Sequence, residues 1–233
     1  MSEQAPPAKL SQDQVATLYD RMSGAYDIWS ALTESRARRR ALALADIRDG
    51  QNLLEVAVGT GAAFAEIVAR NPGGRNLGID ISEGMLAKAK LRLRKKRLTN
   101  FELRHCSAFE IPVPGDSFDT VFNAYMFDLL PAEDWPLVLA EFHRVLKPGG
   151  QLVLYGMTIG EKPGSGLYQF LSGVSPKLMG GCRSVMMAAP VKAAGFDLRS
   201  RDYCQQMLFP TEVILATKPR EAASISAPPV SED

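Results

Sequence analysis

The segment whose residue types and spacing most clearly suggest a binding site is LLEVAVGTGAAF, Leu53 to Phe64. An apolar run breaks there into Gly59, Thr60 and Gly61, and glycine lets the backbone approach a ligand that a Cβ would obstruct. A parallel strand that ends in such a turn and leads into a helix presents unpaired backbone N–H groups at the carboxyl edge of the sheet, where α/β folds bind ligands. We therefore predict a ligand site at this turn.

Two carboxylates accompany the glycine turn. Asp80 ends the next apolar run, about twenty residues on, where a carboxylate can accept from both hydroxyls of a ribose. Glu55 lies within the first strand, and a carboxylate there suits a ligand with a cationic amino group better than one with a pyrophosphate. A dinucleotide-binding turn also needs a small residue where this chain has Phe64, so NAD is disfavoured.

A second group of chemical candidates follows the fourth predicted strand. Asp128 interrupts the apolar segment NAYMFDLLP, and a carboxylate there is costly unless it is paired or takes part in chemistry. Two interpretations stay open, a catalytic base and a structural helix cap or arginine partner. Further on, Arg183 is a candidate cation, since a buried guanidinium could fix an anionic ligand.

These residues need a parallel sheet to bring them together. Apolar runs and turn residues predict strands near residues 52–58, 76–80, 101–106, 120–124, 151–157, 197–203 and 207–216. Helices are predicted near residues 61–70, 83–97, 133–146 and 190–194. Strands joined by long crossovers form a parallel sheet covered on both faces, and the last two strands close it as a hairpin-like edge.

The chain of 233 residues is predicted to form one domain over residues 12–218. Residues 1–11 and 219–233 contain few bulky apolar side chains and are expected to be disordered tails. Residues 12–45 are predicted to form helices that precede the first strand and pack outside the alternating unit. Residues 158–190 are rich in glycine and serine but hold several large apolar side chains, so they are expected to form a loop with short helices rather than a linker.

The overall charge and the cysteines exclude several classes of partner. Lys and Arg number 27 against 26 Asp and Glu, so no nucleic-acid partner is expected. No window reaches about 18 consecutive apolar residues, and neither a membrane span nor an export leader is expected. Three cysteines without metal-ligand spacing favour a reducing, cytoplasmic location and no metal. The oligomeric state stays open.

Two basic runs stand out against this balance, KAKLRLRKKR at residues 88–97 and a cluster at residues 36–40. We interpret them as solvated helix faces. Peripheral contact with an acidic surface or a lipid headgroup is the alternative that stays open.

Four segments carry a resemblance to a known family: LLEVAVGTG, GIDISEGML, IPVPGDSFDTVF and RVLKPGGQLVL. In order and spacing they resemble the motifs of class I S-adenosylmethionine-dependent methyltransferases, particularly the branch similar to the enzymes of ubiquinone and menaquinone biosynthesis. The resemblance covers residues 19–156. It implies a Rossmann-like α/β fold with a mostly parallel seven-stranded sheet, an antiparallel last strand and helices on both faces, and S-adenosylmethionine as cofactor.

The resemblance also implies roles for individual residues. Asp80 would hold the ribose, the residues of the glycine turn would line the methionine end, and the adenine would lie beside the second and third strands. The full set of implied cofactor-binding residues is Glu55, Ala57, Gly59, Gly61, Asp80, Ile81, Met85, Ser107, Ala108 and Asn123. Two positions depart from the family pattern, since Ala57 stands where glycine is usual and Ser107 where an acidic residue is usual.

On the acceptor side the catalytic candidates are Asp128, Tyr125 and Tyr26. Tyr26 lies in YDRMSGAYD, which resembles the family's segment that folds over the cofactor, and could place its ring against the sulfonium. By this resemblance residues 12–45 would form a lid of helices over the site, and residues 158–190 would cover the acceptor. The quinol C-methyltransferases carry an Arg-Asn pair where this chain has Phe127 and Asp128. We expect methyl transfer to a small, partly apolar acceptor that is aromatic, quinol-like or lipid-like. Phospholipid or amine N-methylation and a non-catalytic cofactor sensor stay open.

Overall fold

The computed structural model of the chain describes residues 34–161, 183–207 and 209–220. The expected N-terminal tail, the lid segment before residue 34 with Tyr26, residues 162–182 of the acceptor-covering segment, and residues 221–233 lie outside the described residues. Within the described part, no helix has the length and apolar character needed to cross a membrane.

The described chain alternates helices and strands close to the predicted bounds. The strands are β1 (Asn52–Val56), β2 (Arg75–Asp80), β3 (Glu102–His105), β4 (Phe118–Ala124), β5 (Leu146–Met157), β6 (Asp197–Gln206) and β7 (Phe209–Thr217). The α-helices are α1 (Ser35–Leu44), α2 (Ala62–Arg70), α3 (Glu83–Lys95), α4 (Trp135–Val145) and α5 (Ala188–Ala193), with a short 3-10 helix, Ala132–Asp134, before α4.

The seven strands form one sheet in the order β3-β2-β1-β4-β5-β7-β6. Neighbours from β3 to β5 are parallel, whereas β7 is antiparallel to both β5 and β6. The predicted Rossmann-like α/β fold, with its antiparallel last strand, is confirmed. The strand order reverses between β1 and β4, and ligands of open α/β sheets bind at the carboxyl ends of the strands beside such a reversal.

Helices cover both faces of the sheet. Leu53 of β1 packs with Ala41 of α1 and Ile67 of α2 on one face, while the next residue, Leu54, packs with Phe142 of α4 on the other. Successive strand residues point to opposite faces, so β1 is buried on both sides. Right-handed crossovers place α2 and α3 on the same face as each other, and α4 and α5 on the opposite face.

Local signals start the helices that lead away from the site. Ser82 caps α3, since its hydroxyl accepts a hydrogen bond from the Met85 N–H at 3.1 Å. Gly61 precedes α2 with a left-handed φ of 76°. A Cβ on Gly61 would lie 3.0 Å from the Cα and Cβ of Ala89, so glycine is also what lets α2 pack closely on α3.

The substitution Gly61→Ala tests this close approach against a matched turn. Gly50 also has a positive φ, 93°, but a Cβ there meets nothing within 4 Å. We expect Gly50→Ala to lower the free energy of unfolding by about 1–2 kcal/mol through backbone strain alone. Gly61→Ala should cost about 1–3 kcal/mol more because α2 and α3 must also move apart. Urea unfolding measures both, and equal losses would contradict a packing role for Gly61.

Candidate functional site

Every second residue of the glycine turn has a left-handed backbone conformation. Ala57, Gly59 and Gly61 have φ values of 59°, 54° and 76°, so the backbone reverses sharply between β1 and α2. A Cβ placed on Gly59 would meet no atom of the described residues within 4 Å. Open space therefore lies against the backbone of Gly59, as a ligand-binding turn requires, while the space at Gly61 is filled by Ala89.

Asp80 joins this turn to the start of α3. Its Oδ2 accepts a hydrogen bond from the Gly59 N–H at 2.7 Å, and its Oδ1 accepts one from the Ser82 N–H at 2.9 Å. Burial raises the pKa of Asp80, and these two N–H donors lower it in part. An ionised carboxylate has about four acceptor positions, so Asp80 keeps acceptor capacity for a ligand's hydroxyl groups.

Glu55 is the least compensated carboxyl group beside the turn. Its side chain is 2% exposed, and its Oε2 has no hydrogen-bond partner among the described residues. Burial raises the pKa of Glu55 well above its ordinary value, Arg38 lowers it and Asp80 raises it further. A buried acceptor without a partner is costly, and a cationic ligand would offset that cost.

The residues predicted to surround the adenine differ in accessibility. Ile81 is 38% exposed at the carboxyl edge, whereas Met85 is 2% exposed and belongs to the core beneath α3. Ser107 is half-buried, and its hydroxyl accepts from the Phe109 N–H at 3.3 Å. Ala108 packs against the core beside α4. Cofactor contact by these four residues stays a prediction.

Asn123 connects the ends of β1 and β4. Its side-chain amide donates to the carbonyl oxygen of Val56 at 2.9 Å and to the sulfur of Met126 at 3.5 Å, and the residue is 1% exposed. The structure therefore gives Asn123 a clear positioning role at the site, holding β4 against the strand that leads into the glycine turn.

Tyr125 follows β4 with a left-handed φ of 47°, which is unusual for a bulky side chain. Its hydroxyl lies 3.1 Å from the Thr211 hydroxyl, and its ring packs edge-on against Tyr155 at 5.4 Å. Burial raises the pKa of Tyr125 well above its ordinary value. A hydroxyl that holds its proton this firmly can donate a hydrogen bond, but it is a poor general base.

Arg183 holds the segment that carries Asp128. Its Nε donates to the carbonyl oxygen of Asp128 at 3.1 Å, a second guanidinium N–H donates to the carbonyl oxygen of Leu130, and its guanidinium lies 6.0 Å from the ring of Trp135. Two guanidinium N–H groups of Arg183 are therefore used on main-chain carbonyls, and a contact between Arg183 and an anionic acceptor stays a prediction. Asp128 itself is 1% exposed.

A small, partly open cavity adjoins Asp128 and is lined in part by residues that the sequence did not single out. Glu212 is the most informative of them. Its Oε1 accepts from the Met187 N–H at 2.5 Å and its Oε2 from the Arg201 Nε at 2.8 Å. The cavity walls are formed by Asn123, Phe127, Asp128, Leu154, Tyr155, Gly156, Met157, Val185, Met187, Glu212 and Ile214. A charged residue inside the apolar strand FPTEVILAT was the available signal for Glu212.

Two carboxyl groups and an amide therefore meet a mostly apolar wall at the carboxyl ends of β4 and β5. In the described ranges, no group of three or more His, Cys, Asp or Glu side chains could hold a metal ion. The arrangement can bind a polar or cationic group at the glycine turn and an apolar group beside β5. It offers buried carboxyl groups at both places.

Comparison with protein families and relatives agrees with the motifs. Residues 53–150 match a family model described as a methyltransferase domain. The chain is 34% identical over 147 residues to a demethylmenaquinone methyltransferase of Listeria welshimeri, covering 60% of this chain and 61% of the relative. It is 32% identical to the enzyme of that name from Geobacillus kaustophilus, covering 61% of this chain and 62% of the relative.

Solved structures share the fold at low sequence identity. The cyclase SpnF superposes with a TM-score of 0.74 at 18% identity, covering 93% of this chain and 99% of that one. A Haemonchus contortus phosphoethanolamine N-methyltransferase, solved with phosphomonomethylethanolamine and S-adenosylhomocysteine, superposes at 0.64 with 18% identity, covering 79% of this chain and 53% of that one.

The resemblance to the class I methyltransferases of the menaquinone-like branch is therefore confirmed. The chain spans about three-fifths of the length of the relatives that it matches, 61% for the Listeria welshimeri enzyme. The matched part contains the glycine turn and Asp80.

The contribution of Glu55 to the free energy of unfolding should depend on pH. Because burial raises its pKa in the folded chain, Glu55 contributes most to stability below the unfolded-state pKa of about 4.3, and stability is lost as pH rises towards the folded-state pKa. Glu55→Gln keeps the shape of the neutral carboxyl group. We expect it to stabilise the fold at pH 8 relative to the parent by at least about 1 kcal/mol more than at pH 5.

Urea unfolding at both pH values measures this difference. Glu110→Gln is the control, since Glu110 is an exposed glutamate away from Arg38 and Glu55. A pH-independent effect of Glu55→Gln would show that Glu55 is ionised in the folded chain.

Proposed function

We propose that this chain is an S-adenosylmethionine-dependent methyltransferase that acts on a small, partly apolar acceptor. The observation that carries the proposal is the Asp80 carboxylate, bonded to Gly59 beside open space at the glycine turn. That arrangement supplies a ribose acceptor and a close backbone approach in one place. The methyltransferase motifs and the relatives' names support the same reaction.

The donor side follows from charge and accessibility. S-adenosylmethionine supplies a methyl group on a positively charged sulfur, and its methionine part carries an ammonium group. In this proposal Asp80 accepts hydrogen bonds from the ribose hydroxyls while it keeps Gly59 and Ser82 in place. Glu55 offers its unused Oε2 to the ammonium group, which favours the ionised carboxylate and removes the cost of the buried acceptor.

The acceptor side must align a nucleophile with the methyl group and remove one proton. Methyl transfer is an in-line displacement, in which the nucleophile forms a bond to carbon as the carbon–sulfur bond breaks. Asp128 is the proposed base for the proton, held by the Arg183 contacts to its own and neighbouring carbonyls. Tyr125 positions the acceptor through packing or a donated hydrogen bond. Tyr26 remains a proposed sulfonium contact from the lid.

For the acceptor we favour an aromatic or quinol-like molecule. The supporting observations are the apolar wall beside β5, which includes Phe127, Met157 and Met187, and the relatives named demethylmenaquinone methyltransferases. This chain has Phe127 and Asp128 where the quinol enzymes have an Arg-Asn pair. In this proposal Asp128 therefore removes the proton of the ring hydroxyl without help from a neighbouring arginine at that position.

A small amine or phospholipid amine is the second candidate acceptor. Asp128 and Glu212 both line the cavity, and carboxyl groups suit a cationic amine better than a neutral ring. An N-methyltransferase is also among the structures that share the fold. A non-catalytic cofactor sensor is the third, since one fold can support unrelated activities. A cytoplasmic location belongs to the proposal too, supported by Cys106, which forms no disulfide bond with another described residue.

Binding of S-adenosylhomocysteine tests the donor site directly. We expect Asp80→Asn to weaken it about 30- to 100-fold, because hydrogen bonds from the ribose to a charged acceptor are lost. Asp202→Asn, which removes a carboxylate paired with Arg40 at 2.7 Å, should leave affinity unchanged. Titration calorimetry measures both, and binding of NADH instead of S-adenosylhomocysteine would reject the cofactor.

Transfer of a labelled methyl group tests the reaction and the acceptor class. Incubation with methyl-labelled S-adenosylmethionine and a cell extract should place label in the organic fraction. Once the labelled acceptor has been purified, the Asp128→Asn variant should show a kcat about 10²- to 10⁴-fold lower than the parent. Glu133→Gln, a nearby exposed carboxylate, is the control. Label in polar amines would favour the second candidate, and cofactor binding without label in any fraction would favour the sensor.

A further inference from the structure

The three helices on one face of the sheet carry ten of the chain's 27 Lys and Arg residues. We call α1, α2 and α3 the basic layer. It contains ten Lys and Arg residues and two acidic residues, Glu66 and Glu83. The helices of the opposite face contain two Lys and Arg residues and three acidic ones. Among the described helices, basic residues are therefore concentrated on one face of the sheet, although the formal charge of the whole chain is only +1.

Part of the charge in the basic layer is compensated within the protein. Arg38 pairs with Glu66 at 3.1 Å, and Arg40 pairs with Asp202 at 2.7 Å. The exposed cations at the end of α3 differ, because the described residues place no acidic partner within ion-pair distance of them. These are Lys90, Arg94, Lys95, Lys96 and Arg97, which we call the α3 strip.

The α3 strip includes an exposed apolar side chain. Leu91 is 54% exposed beside Lys90, and it is the only exposed large hydrophobic residue described within the three helices. The buried side of α3 is formed instead by Met85, Ala89 and Leu93. A cationic helix face with an apolar side chain among its charges fits an interface between lipid headgroups and acyl chains.

This combination favours a lipid surface over nucleic acid. Proteins that bind single strands add aromatic side chains on which bases stack. None of the exposed large hydrophobic side chains in the described chain is aromatic. The basic layer also reaches the site edge, since at the start of α1 Ser35 and Arg36 contact Gln206 at 3.3 and 2.8 Å, in the hairpin beside the carboxyl end of β5.

We propose that the basic layer binds the surface of an anionic lipid membrane, with the α3 strip among the headgroups and Leu91 at the acyl boundary. The inference that the layer binds a membrane is drawn from its charge and exposure. The purpose of that binding rests on the proposed function, since a partly apolar acceptor would reside in the membrane. Contact would be peripheral and reversible.

Vesicle binding tests this without cofactor or acceptor, so its outcome is independent of the methyltransferase proposal. The probes are phosphatidylcholine vesicles with and without phosphatidylglycerol, at about 0.1 M salt, where surface charges interact over about 10 Å. We expect binding only with phosphatidylglycerol. Lys90→Glu should weaken it about fivefold or more, and K90E/R94E about 25-fold or more.

Lys192→Glu is the matched control, an exposed lysine near the end of α5 on the opposite face. It should leave vesicle affinity unchanged. Leu91→Ala should weaken binding several-fold with no change in charge, which a purely electrostatic contact would not show. Unchanged S-adenosylhomocysteine affinity or thermal unfolding in each variant verifies that the fold is intact.

Three results would overturn the proposal. They are no binding to phosphatidylglycerol vesicles, equal losses for Lys90→Glu and Lys192→Glu, and a single-stranded oligonucleotide that binds more tightly than the vesicles with the same sensitivity to Lys90→Glu. The last result would assign the basic layer to nucleic acid.

Discussion

The candidate site depends on the two hydrogen bonds that the Asp80 carboxylate accepts from the backbone of Gly59 and Ser82. One carboxylate thereby fixes the distance between the turn after β1 and the start of α3. Its burial opposes ionisation while the two N–H donors favour it, so the charged form depends on the turns being folded. A ribose bound there would use a group that the protein has already oriented, which lowers the entropy cost of binding.

Backbone strain collects beside this contact. Ala57 and Tyr125 hold left-handed φ values of 59° and 47°, directly after β1 and β4, at the ends that Asn123 ties together. Such conformations cost about 1–3 kcal/mol each and persist only where the surroundings determine them. Here the surroundings are fixed because the Asn123 amide donates a hydrogen bond to the Val56 carbonyl oxygen at 2.9 Å, which holds the ends of β1 and β4 together. Strain at two neighbouring strand ends is what an edge shaped for a ligand is expected to show.

The sequence predicted the seven strands, the glycine turn and Asp80 because their signals are local: apolar runs, glycine spacing and an acid at the end of a strand. Glu212 was not predicted as a site residue because it reaches the cavity only through the β5–β7 pairing, in which it lies opposite Gly156. No local sequence pattern reveals that pairing. The contacts of Arg183 with the carbonyl oxygens of Asp128 and Leu130 were not predicted for the same reason, since these partners lie more than fifty residues away in the chain. The start of β5 at Leu146, earlier than expected, also depends on a distant strand, through pairing with Phe118.

The balanced total charge conceals an arrangement with carboxyl groups inside and cations outside. Glu55, Asp128 and Glu212 are each at most 2% exposed around the carboxyl ends of the strands. Arg201 and a backbone N–H compensate Glu212, whereas Glu55 keeps an oxygen for which the described residues supply no hydrogen-bond donor. A cationic ligand restores that balance and an anionic one worsens it. Many cations of the basic layer lie on the outer surface, so the proposed cationic donor and the proposed anionic surface would each meet protein charges of opposite sign. Both properties follow from where the charges lie, which a net charge of +1 does not reveal.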